Sequence, residues 1–196
     1  MRFRTLIFCL CLATLAQAAP LVTFPLADIP ITAAGAGVQM GPGGKAFTLP
    51  KPGSTTIDLK QYRGKALVLT LISINCGHCV NAVQYLTQLQ SQYGPQGLQV
   101  VGVAGDEHAD VNLPGWLQRF RPNFPFGYLP QGPFLKLAGL APDARPFAPI
   151  TLFVDPKGMV RDRKFGNDPD MKNSVEGALL EGTKVLMSIS APLMKK

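Results

Sequence analysis

Two cysteines carry the most evident chemistry in this sequence, and they stand two residues apart in the tetrad Cys76-Gly77-His78-Cys79. The tetrad follows an apolar run and opens a helical pattern, so Cys76 lies at a predicted helix start. Unpaired N–H groups and the helix dipole at that point favour a thiolate, the species that attacks a disulfide. We predict Cys76 as the nucleophile. Cys79, one helical turn further in and less exposed, is predicted to resolve the mixed disulfide.

The alternative role of a Cys-x-x-Cys pair is half of a zinc site, and zinc requires four ligands. The sequence offers two histidines: His78 lies inside the tetrad, and His108 lies in a polar loop beyond the next predicted strand. The strand-to-helix position of the pair favours redox chemistry over metal binding. We therefore expect no metal and no cofactor, and we expect His108 to be a solvated loop residue.

Residues 1–18 have the pattern of a signal peptide. Arg2 and Arg4 precede an uncharged, mostly apolar stretch over 5–15, and Ala16-Gln17-Ala18 forms a small-x-small cleavage site. The apolar stretch is shorter than the roughly 20 residues of a spanning helix, and an uncleaved membrane anchor remains the alternative. The sequence thus predicts an exported protein, periplasmic or otherwise extracytoplasmic, soluble after cleavage and without stable membrane insertion.

Removal of this leader changes the cysteine count and the charge. Cys9 and Cys11 are lost, so the mature chain keeps only the pair at positions 76 and 79. One closely spaced pair is not the framework of a disulfide-stabilised scaffold, and a chain of this length can bury a core without one. Seventeen basic and twelve acidic residues remain, a net charge of +5 in place of +7. Because these charges are dispersed, they argue against nucleic-acid binding.

The elements that must position the tetrad are visible in the hydrophobic pattern. An apolar run at 66–74 predicts a buried parallel strand, the tetrad opens a helix that ends at Gly94-Pro95, and a second buried strand follows at 98–103. This order predicts a right-handed βαβ unit. The remaining predicted elements are a helix near 114–120, a strand at 124–129, a helical turn at 133–140, hairpin strands at 150–154 and 159–164, and a closing helix at 173–187.

Residues 19–45 are rich in Ala, Gly and Pro and show little periodicity. Such a composition favours a flexible lead-in or a loosely attached edge of the fold. The sequence therefore predicts three parts: a signal peptide over 1–18, a flexible lead-in over 19–45 and one domain over 46–196.

Several segments together resemble the thioredoxin superfamily, and above all its exported TlpA/ResA-like branch. They are Ala46–Pro50, Ile57-Asp58-Leu59, Tyr62–Lys65, the apolar strand, the Cys-x-x-Cys tetrad, and Ala148–Thr151 before Phe153–Gly158. The resemblance covers roughly residues 45–165. It implies an α/β thioredoxin fold: a central mixed β-sheet with a βαβ unit and a C-terminal β-hairpin, flanking helices and an N-terminal extension.

The resemblance also implies roles beyond the two cysteines. In this family the proline before the hairpin strand is cis and faces the cysteines. That places Pro149 opposite Cys76, keeps metal-binding residues away from the thiols and exposes the backbone of Ala148 for substrate docking. Gly77-His78 is the redox-tuning dipeptide seen in protein disulfide isomerases. A histidine there can favour the nucleophile's thiolate, which stabilises the reduced form and makes the disulfide a stronger oxidant.

Three positions depart from the family pattern. Asn75 stands where the family usually has tryptophan, and Thr70 and Ala82 stand where many members have a carboxylate near the second cysteine. Without these carboxylates, deprotonation of Cys79 must rely on water or another base. The TlpA-like segments favour a reductase, whereas His78 and the missing carboxylates favour an oxidase or isomerase. The direction of electron flow therefore stays open.

Together these observations predict an exported thiol–disulfide oxidoreductase that exchanges disulfides with proteins. Its expected partners are thiol- or disulfide-bearing exported proteins and a redox-recycling partner, either soluble or membrane-bound, with no nucleic acid. One alternative is a peroxiredoxin-like thiol peroxidase, because Ser73-x-x-Cys76 is similar to that group's Thr-x-x-Cys, although Leu69 replaces its proline. The other is a non-enzymatic metal carrier or binding module on a thioredoxin scaffold.

Cleavage after Ala18 should make Ala19 the first residue of the exported protein, because signal peptidase reads the small residues at 16 and 18. Mass spectrometry of the intact protein from the exported fraction checks this. A chain that keeps Met1 and is found in a membrane fraction would instead be an anchored protein.

Overall fold

The computed structural model describes residues 23–34 and 56–194. The strands are β1 Phe24–Pro25, β2 Ile31–Ala33, β3 Thr56–Ile57, β4 Ala66–Ile72, β5 Leu98–Ala104, β6 Phe126–Tyr128, β7 Ile150–Val154 and β8 Met159–Phe165. The helices are α1 Gly77–Tyr93, α2 Ala109–Phe120, α3 Gln131–Leu137, α4 Pro169–Asn173 and α5 Val175–Met194. The predicted signal peptide and most of the predicted lead-in lie outside the described residues.

The eight strands belong to one mixed sheet, in the order β1-β8-β7-β4-β5-β6-β2-β3. At its centre, β4 runs parallel to β5 and antiparallel to β7. Every residue of β4 is buried, because the sheet is covered on both faces. A strand that is covered on both faces has a continuous apolar sequence. The predicted βαβ unit, C-terminal hairpin and α/β class are confirmed.

The sheet separates two hydrophobic cores. One core holds the inward side of α1 together with residues of α2, α4 and α5. In α1 the buried positions recur at the three- and four-residue spacing of one helical face; they are Cys79, Ala82, Val83, Leu86 and Leu89. The other core is covered by α3, which contributes Phe134, Leu135 and Leu137. The reactive pair therefore belongs to the α1 side of the sheet.

Asp155 closes the hairpin between β7 and β8. Its Oδ1 accepts hydrogen bonds from the backbone N–H groups of Lys157 and Met159, at 2.9 and 3.0 Å. Its Oδ2 accepts two from the Arg161 guanidinium, at 2.7 and 2.5 Å. Burial alone would raise the pKa of this carboxyl, but these hydrogen bonds and the guanidinium charge hold the pKa of Asp155 below its ordinary value. The carboxylate thus ties the turn to the start of β8.

Residues 23–34 correct the predicted domain boundary. β1 pairs with β8, and β2 pairs with both β6 and β3. Ile31 is completely buried. Gly127 in β6 approaches β2 so closely that a Cβ there would lie 2.4 Å from the carbonyl oxygen of Thr32. Over these residues the chain forms strands of the sheet, so the alternative of an attached edge describes them better than a flexible lead-in. Local composition does not decide between the two, because pairing with distant strands leaves no trace in it.

The helices after β5 differ from the sequence prediction in their bounds. α2 begins at Ala109, ahead of the predicted start at 114, and it contains Pro114. A helix start near the proline was expected, but burial of Ala109 and Leu113 extends the helix towards β5. α5 runs to Met194, beyond the predicted end at 187. Within the described ranges, no helix combines the length and apolar character needed to cross a bilayer.

Asp155→Asn should lower the free energy of unfolding by about 1.5–3 kcal/mol at neutral pH, the range for hydrogen bonds to charged groups. The amide cannot present two acceptor oxygens to the turn and to Arg161. Since the folded pKa of Asp155 lies below its unfolded value, the carboxylate's contribution is present above the unfolded pKa. It is lost as the pH falls through the folded pKa, so the two proteins should converge in acid.

Denaturant unfolding at several pH values measures this difference. Asp143→Asn removes an exposed carboxylate and serves as the control, with no expected change. A difference between wild type and Asp155→Asn that stays constant from neutral to acid pH would contradict the assigned role of the charge.

Candidate active site

The strand register brings three segments together at the same end of the central strands. Leu71 in β4 pairs with Ile150 in β7, and Ile72 pairs with Ala104 in β5. The residues that follow β4, follow β5 and precede β7 therefore meet beyond the carboxyl end of β4. They are the loop at 73–76, the loop at 105–108 and the pair Ala148-Pro149.

Cys76 caps the N-terminus of α1. Its backbone is extended, with φ −102° and ψ 115°, and its Sγ accepts a hydrogen bond from the backbone N–H of Cys79 at 3.3 Å. The sulfur thus takes the place that a serine or aspartate oxygen usually occupies at a helix start. Cys76 is half-buried and Cys79 is buried, and both are free thiols. The predicted helix-start position of Cys76 is confirmed.

Cys79 lies in the core on the inward face of α1, with none of its surface exposed. Burial raises the pKa of the Cys79 thiol, because a thiolate is poorly solvated there. The hydrogen bond with Cys76 and the negative charges of the Cys76 thiolate and Asp106 raise this pKa further, while a backbone hydrogen bond from Ser73 opposes the shift. The pair is therefore asymmetric: one sulfur is reachable, and the other is held as a thiol.

The Ala148–Pro149 bond is cis, as the resemblance implies. The Sγ of Cys76 donates a hydrogen bond to the carbonyl oxygen of Ala148 at 3.7 Å. The expected placement of this pair opposite the nucleophile is confirmed. Its role in docking a substrate stays a prediction.

Gly166, directly after β8, supports the same segment. Its N–H donates to the carbonyl oxygen of Phe147 at 3.0 Å. A Cβ at position 166 would lie 2.2 Å from the carbonyl oxygen of Ala148 and 3.1 Å from Cδ of Pro149. Only glycine allows this close approach. Sequence reasoning missed this residue, because the contact depends on the hairpin register that pairs Ile150 with Phe165.

Asp106 is the second residue that sequence reasoning missed, since it was treated as part of a polar loop. Its Oδ1 accepts a hydrogen bond from the Ser73 hydroxyl at 2.6 Å, and its Oδ2 accepts one from the backbone N–H of Ile74 at 2.8 Å. One signal was available in the sequence. Asp106 follows a predicted strand parallel to the one before the tetrad, and the carboxyl ends of parallel strands share one edge.

The two histidines are placed differently. His78 lies exposed in the first turn of α1. His108 precedes α2 in a left-handed conformation with φ 60°, and its side chain is 75% exposed. The expectation that His108 is a solvated loop residue is confirmed. Across the part of the chain that the structure describes, no three His, Cys, Asp or Glu side chains are grouped so as to hold a metal ion.

The positions that depart from the family pattern provide no charge. Thr70 is completely buried, and its hydroxyl lies 3.5 Å from that of Thr151 on the neighbouring strand. Ala82 is also completely buried. The carboxylate near the thiol pair thus comes from the loop after β5, and neither β4 nor α1 supplies it.

A family model described as the AhpC/TSA family matches residues 41–163 of this sequence. The chain belongs to the AhpC/TSA family. This family lies within the thioredoxin superfamily, so the resemblance noted from the sequence is confirmed.

Curated relatives refine this placement. Over 142 residues the chain is 28% identical to protein DipZ of Mycobacterium bovis, an alignment that covers 72% of this chain and 20% of DipZ. The chain thus spans about a fifth of the length of that relative. It is 24% identical over 104 residues to the thiol-disulfide oxidoreductase ResA of Bacillus thuringiensis subsp. konkukian, covering 53% of this chain and 57% of ResA. The predicted ResA-like branch is confirmed, and the predicted enzyme class is the one in that relative's name.

Solved structures show the fold. A putative thiol:disulfide interchange protein DsbE from Chlorobium tepidum matches with a TM-score of 0.60 and 20% identity, over 83% of this chain and 95% of that one. Peroxidoxin BcpB from Mycobacterium tuberculosis matches with a TM-score of 0.61 and 14% identity, over 86% and 97%. At these identities the matches establish the thioredoxin fold alone.

The peroxiredoxin-like alternative is not favoured. The curated relatives include oxidoreductases of the ResA type. The Ser73 hydroxyl, on which the similarity to Thr-x-x-Cys depends, donates its hydrogen bond to the Asp106 carboxylate.

Cys79→Ala should accumulate mixed disulfides between Cys76 and its substrates, because the thiol that resolves them is removed. Non-reducing gels followed by mass spectrometry of the trapped species measure this. Cys76→Ala is the matched control and should trap few adducts or none, since Cys79 is buried. Adducts attached to Cys79 in the Cys76→Ala protein would reverse the assignment of the two roles.

Proposed function

We propose that this protein is an exported thiol–disulfide oxidoreductase that exchanges disulfides with protein substrates through Cys76 and Cys79. The observation that carries the proposal is the asymmetry of the two sulfurs. A half-buried Cys76 caps a helix beside the Ala148 backbone, and a fully buried Cys79 lies one turn behind it. A single attacking sulfur and a nearby thiol in reserve are what a two-step exchange requires.

The proposed reaction consists of two successive thiol–disulfide exchange steps. The Cys76 thiolate attacks a substrate disulfide, forms a mixed disulfide and releases one substrate sulfur as a thiolate. Cys79 then loses its proton to water or to a released thiolate and attacks Sγ of Cys76. The second substrate sulfur leaves. The substrate has gained two electrons, and the enzyme holds a Cys76–Cys79 disulfide; the reverse sequence oxidises a substrate dithiol.

Substrate docking is proposed at Ala148. Its carbonyl oxygen lies 3.7 Å from Sγ of Cys76, so a strand that pairs with this backbone would bring its own sulfur to the nucleophile. The preceding residue, Phe147, is apolar and 63% exposed. An exposed phenyl group next to the proposed docking residue favours substrates with apolar side chains next to their cysteines, as in chains that are not yet folded.

Export and partners belong to the same proposal. The leader pattern at 1–18 supports export from the cytoplasm. Disulfides persist in the oxidising compartments outside it, and enzymes that exchange them are needed there. The proposed partners are exported proteins that carry thiols or disulfides, and a second protein that resets the redox state of the pair.

The experiment that tests this activity is the reduction of insulin by the mature protein with glutathione as electron source. Wild type should accelerate reduction, and Cys76→Ala should not. Consumption of hydrogen peroxide, measured on the same sample, should stay at the background rate. Peroxide consumption that depends on Cys76, without insulin reduction, would contradict the proposal and identify the protein as a thiol peroxidase.

Direction of electron flow is set by the reduction potential of the pair, and we expect His78 to raise it. A hydrogen-bonding or positive imidazole in the first turn stabilises the Cys76 thiolate and with it the reduced form. The potential should lie between those of thioredoxin, about −270 mV, and protein disulfide isomerase, about −180 mV, and nearer the latter. His78→Pro should be more reducing by roughly 30 mV.

Equilibration with glutathione buffers measures both potentials. Proline is tolerated in the first turn of a helix, so the variant should fold. His108→Ala removes the other histidine, whose side chain is 75% exposed, and should leave the potential unchanged. A wild-type potential at or below that of thioredoxin, unmoved by His78→Pro, would place the protein among the reductases.

A further inference from the structure

The Asp106 carboxylate is fully engaged by the segment that leads into the active-site helix. Both of its oxygens accept hydrogen bonds, from the Ser73 hydroxyl and from the Ile74 backbone, at 2.6 and 2.8 Å. Each partner is a donor, which suits a carboxylate with acceptors only. The two hydrogen bonds join residues that are 33 and 32 positions apart in the sequence. They connect the loop after β5 to the loop after β4.

The segment that Asp106 holds, Ser73-Ile74, leads into the tetrad with the two cysteines. The Ser73 hydroxyl accepts from the backbone N–H of Asn75 at 3.3 Å, and the Ser73 carbonyl accepts from that of Cys76 at 3.2 Å. The backbone N–H of Cys79 in turn donates to Sγ of Cys76 at 3.3 Å. Asp106 is thus connected to the nucleophile through Ser73, and to the backbone of the resolving residue through Cys76.

We propose that Asp106 is a positioning residue of the Cys76–Cys79 pair: it holds Ser73 and Ile74 in place and sets a fixed negative charge beside Cys79 that slows the resolving attack. The inference rests on the proposed exchange function and assigns a residue that controls its second step.

The electrostatics agree with this geometry. The titratable groups that act on Cys79 are the Cys76 thiol on its own helix and Asp106 on the facing loop, and both raise the pKa of the Cys79 thiol beyond the effect of burial. Among the residues that the structure describes, Asp106 is thus a group outside the tetrad whose charge acts on Cys79 and can be removed by substitution.

The consequence concerns the lifetime of the mixed disulfide. While the substrate is attached to Cys76, Cys79 must lose its proton before it can attack. A neighbouring carboxylate makes that thiolate less stable, so the mixed disulfide persists longer. A longer lifetime gives a bound chain time for another of its own thiols to attack, which is the step that rearranges disulfides.

Reaction with dithiobis(nitrobenzoate) isolates the step without any protein substrate. Cys76 attacks the aromatic disulfide and releases one coloured thionitrobenzoate; Cys79 then displaces the second from Cys76. Rapid mixing of the reduced mature protein with a limiting amount of reagent gives the rate of each release as a function of pH. In wild type the second release should rise at a higher pH than the first.

Asp106→Asn should accelerate the second release at neutral pH and should move its pH midpoint down, because removal of the negative charge favours the Cys79 thiolate. The amide can still accept from Ile74 and donate to Ser73. Glu107→Gln removes the same charge from the next residue, whose side chain is 92% exposed, and should change nothing. Ser73→Ala keeps the charge, so it should alter the limiting rate without moving the midpoint.

A purely structural role would slow the second release in Asp106→Asn and leave its pH midpoint in place, and this result would overturn the proposal. Should Asp106→Asn not fold, as judged by circular dichroism, Asp106→Ser tests the same charge. Coincident pH midpoints for the two releases in wild type would refute the proposal without any variant. Failure of insulin reduction alongside a shifted midpoint would count against the exchange function and leave the role of Asp106 standing.

Discussion

The passage from β4 into α1 is the constraint on which the site depends. β4 is buried along its whole length between one parallel and one antiparallel neighbour. The chain leaves the sheet at Ile72, and α1 begins at Gly77 after four connecting residues. The first N–H groups of that helix need acceptors. The Cys76 sulfur supplies one, since it accepts from Cys79. A reactive atom thus also serves as the helix cap, and its position is fixed as firmly as the helix itself.

Much of this arrangement is readable in the sequence. The long apolar runs of β4, β5 and β7 and the periodic face of α1 are local signals, and they place Cys76 at the helix start. The elements that the sequence hides are those whose stability comes from distant partners. β1 and β2 are two and three residues long, too short for a period to show, and they exist because β8, β6 and β3 offer backbone groups to pair with.

The same contrast between local signals and distant pairing separates the site residues that the sequence identifies from those that it hides. Cys76, Cys79 and Pro149 stand in short motifs, so their types and neighbours identify them. Asp106 and Gly166 act through register: each lies one or two residues past a strand end, and only the pairing of the strands brings it to the thiols. The family resemblance implies a carboxylate near Cys79 on β4 or α1, at the positions of Thr70 and Ala82. Here it approaches from the facing loop, and its two oxygens are occupied by donors.

The short outer strands have a consequence for the proposed exchange with protein substrates. In the described part of the sheet, the outermost strands β1 and β3 are each two residues long, and β1 contains Pro25, which has no N–H. Such edges give little template for strand addition. Under the proposed exchange with partly folded chains, these short edges limit aggregation with the substrate. Backbone pairing is then directed to Ala148, the docking segment that we propose.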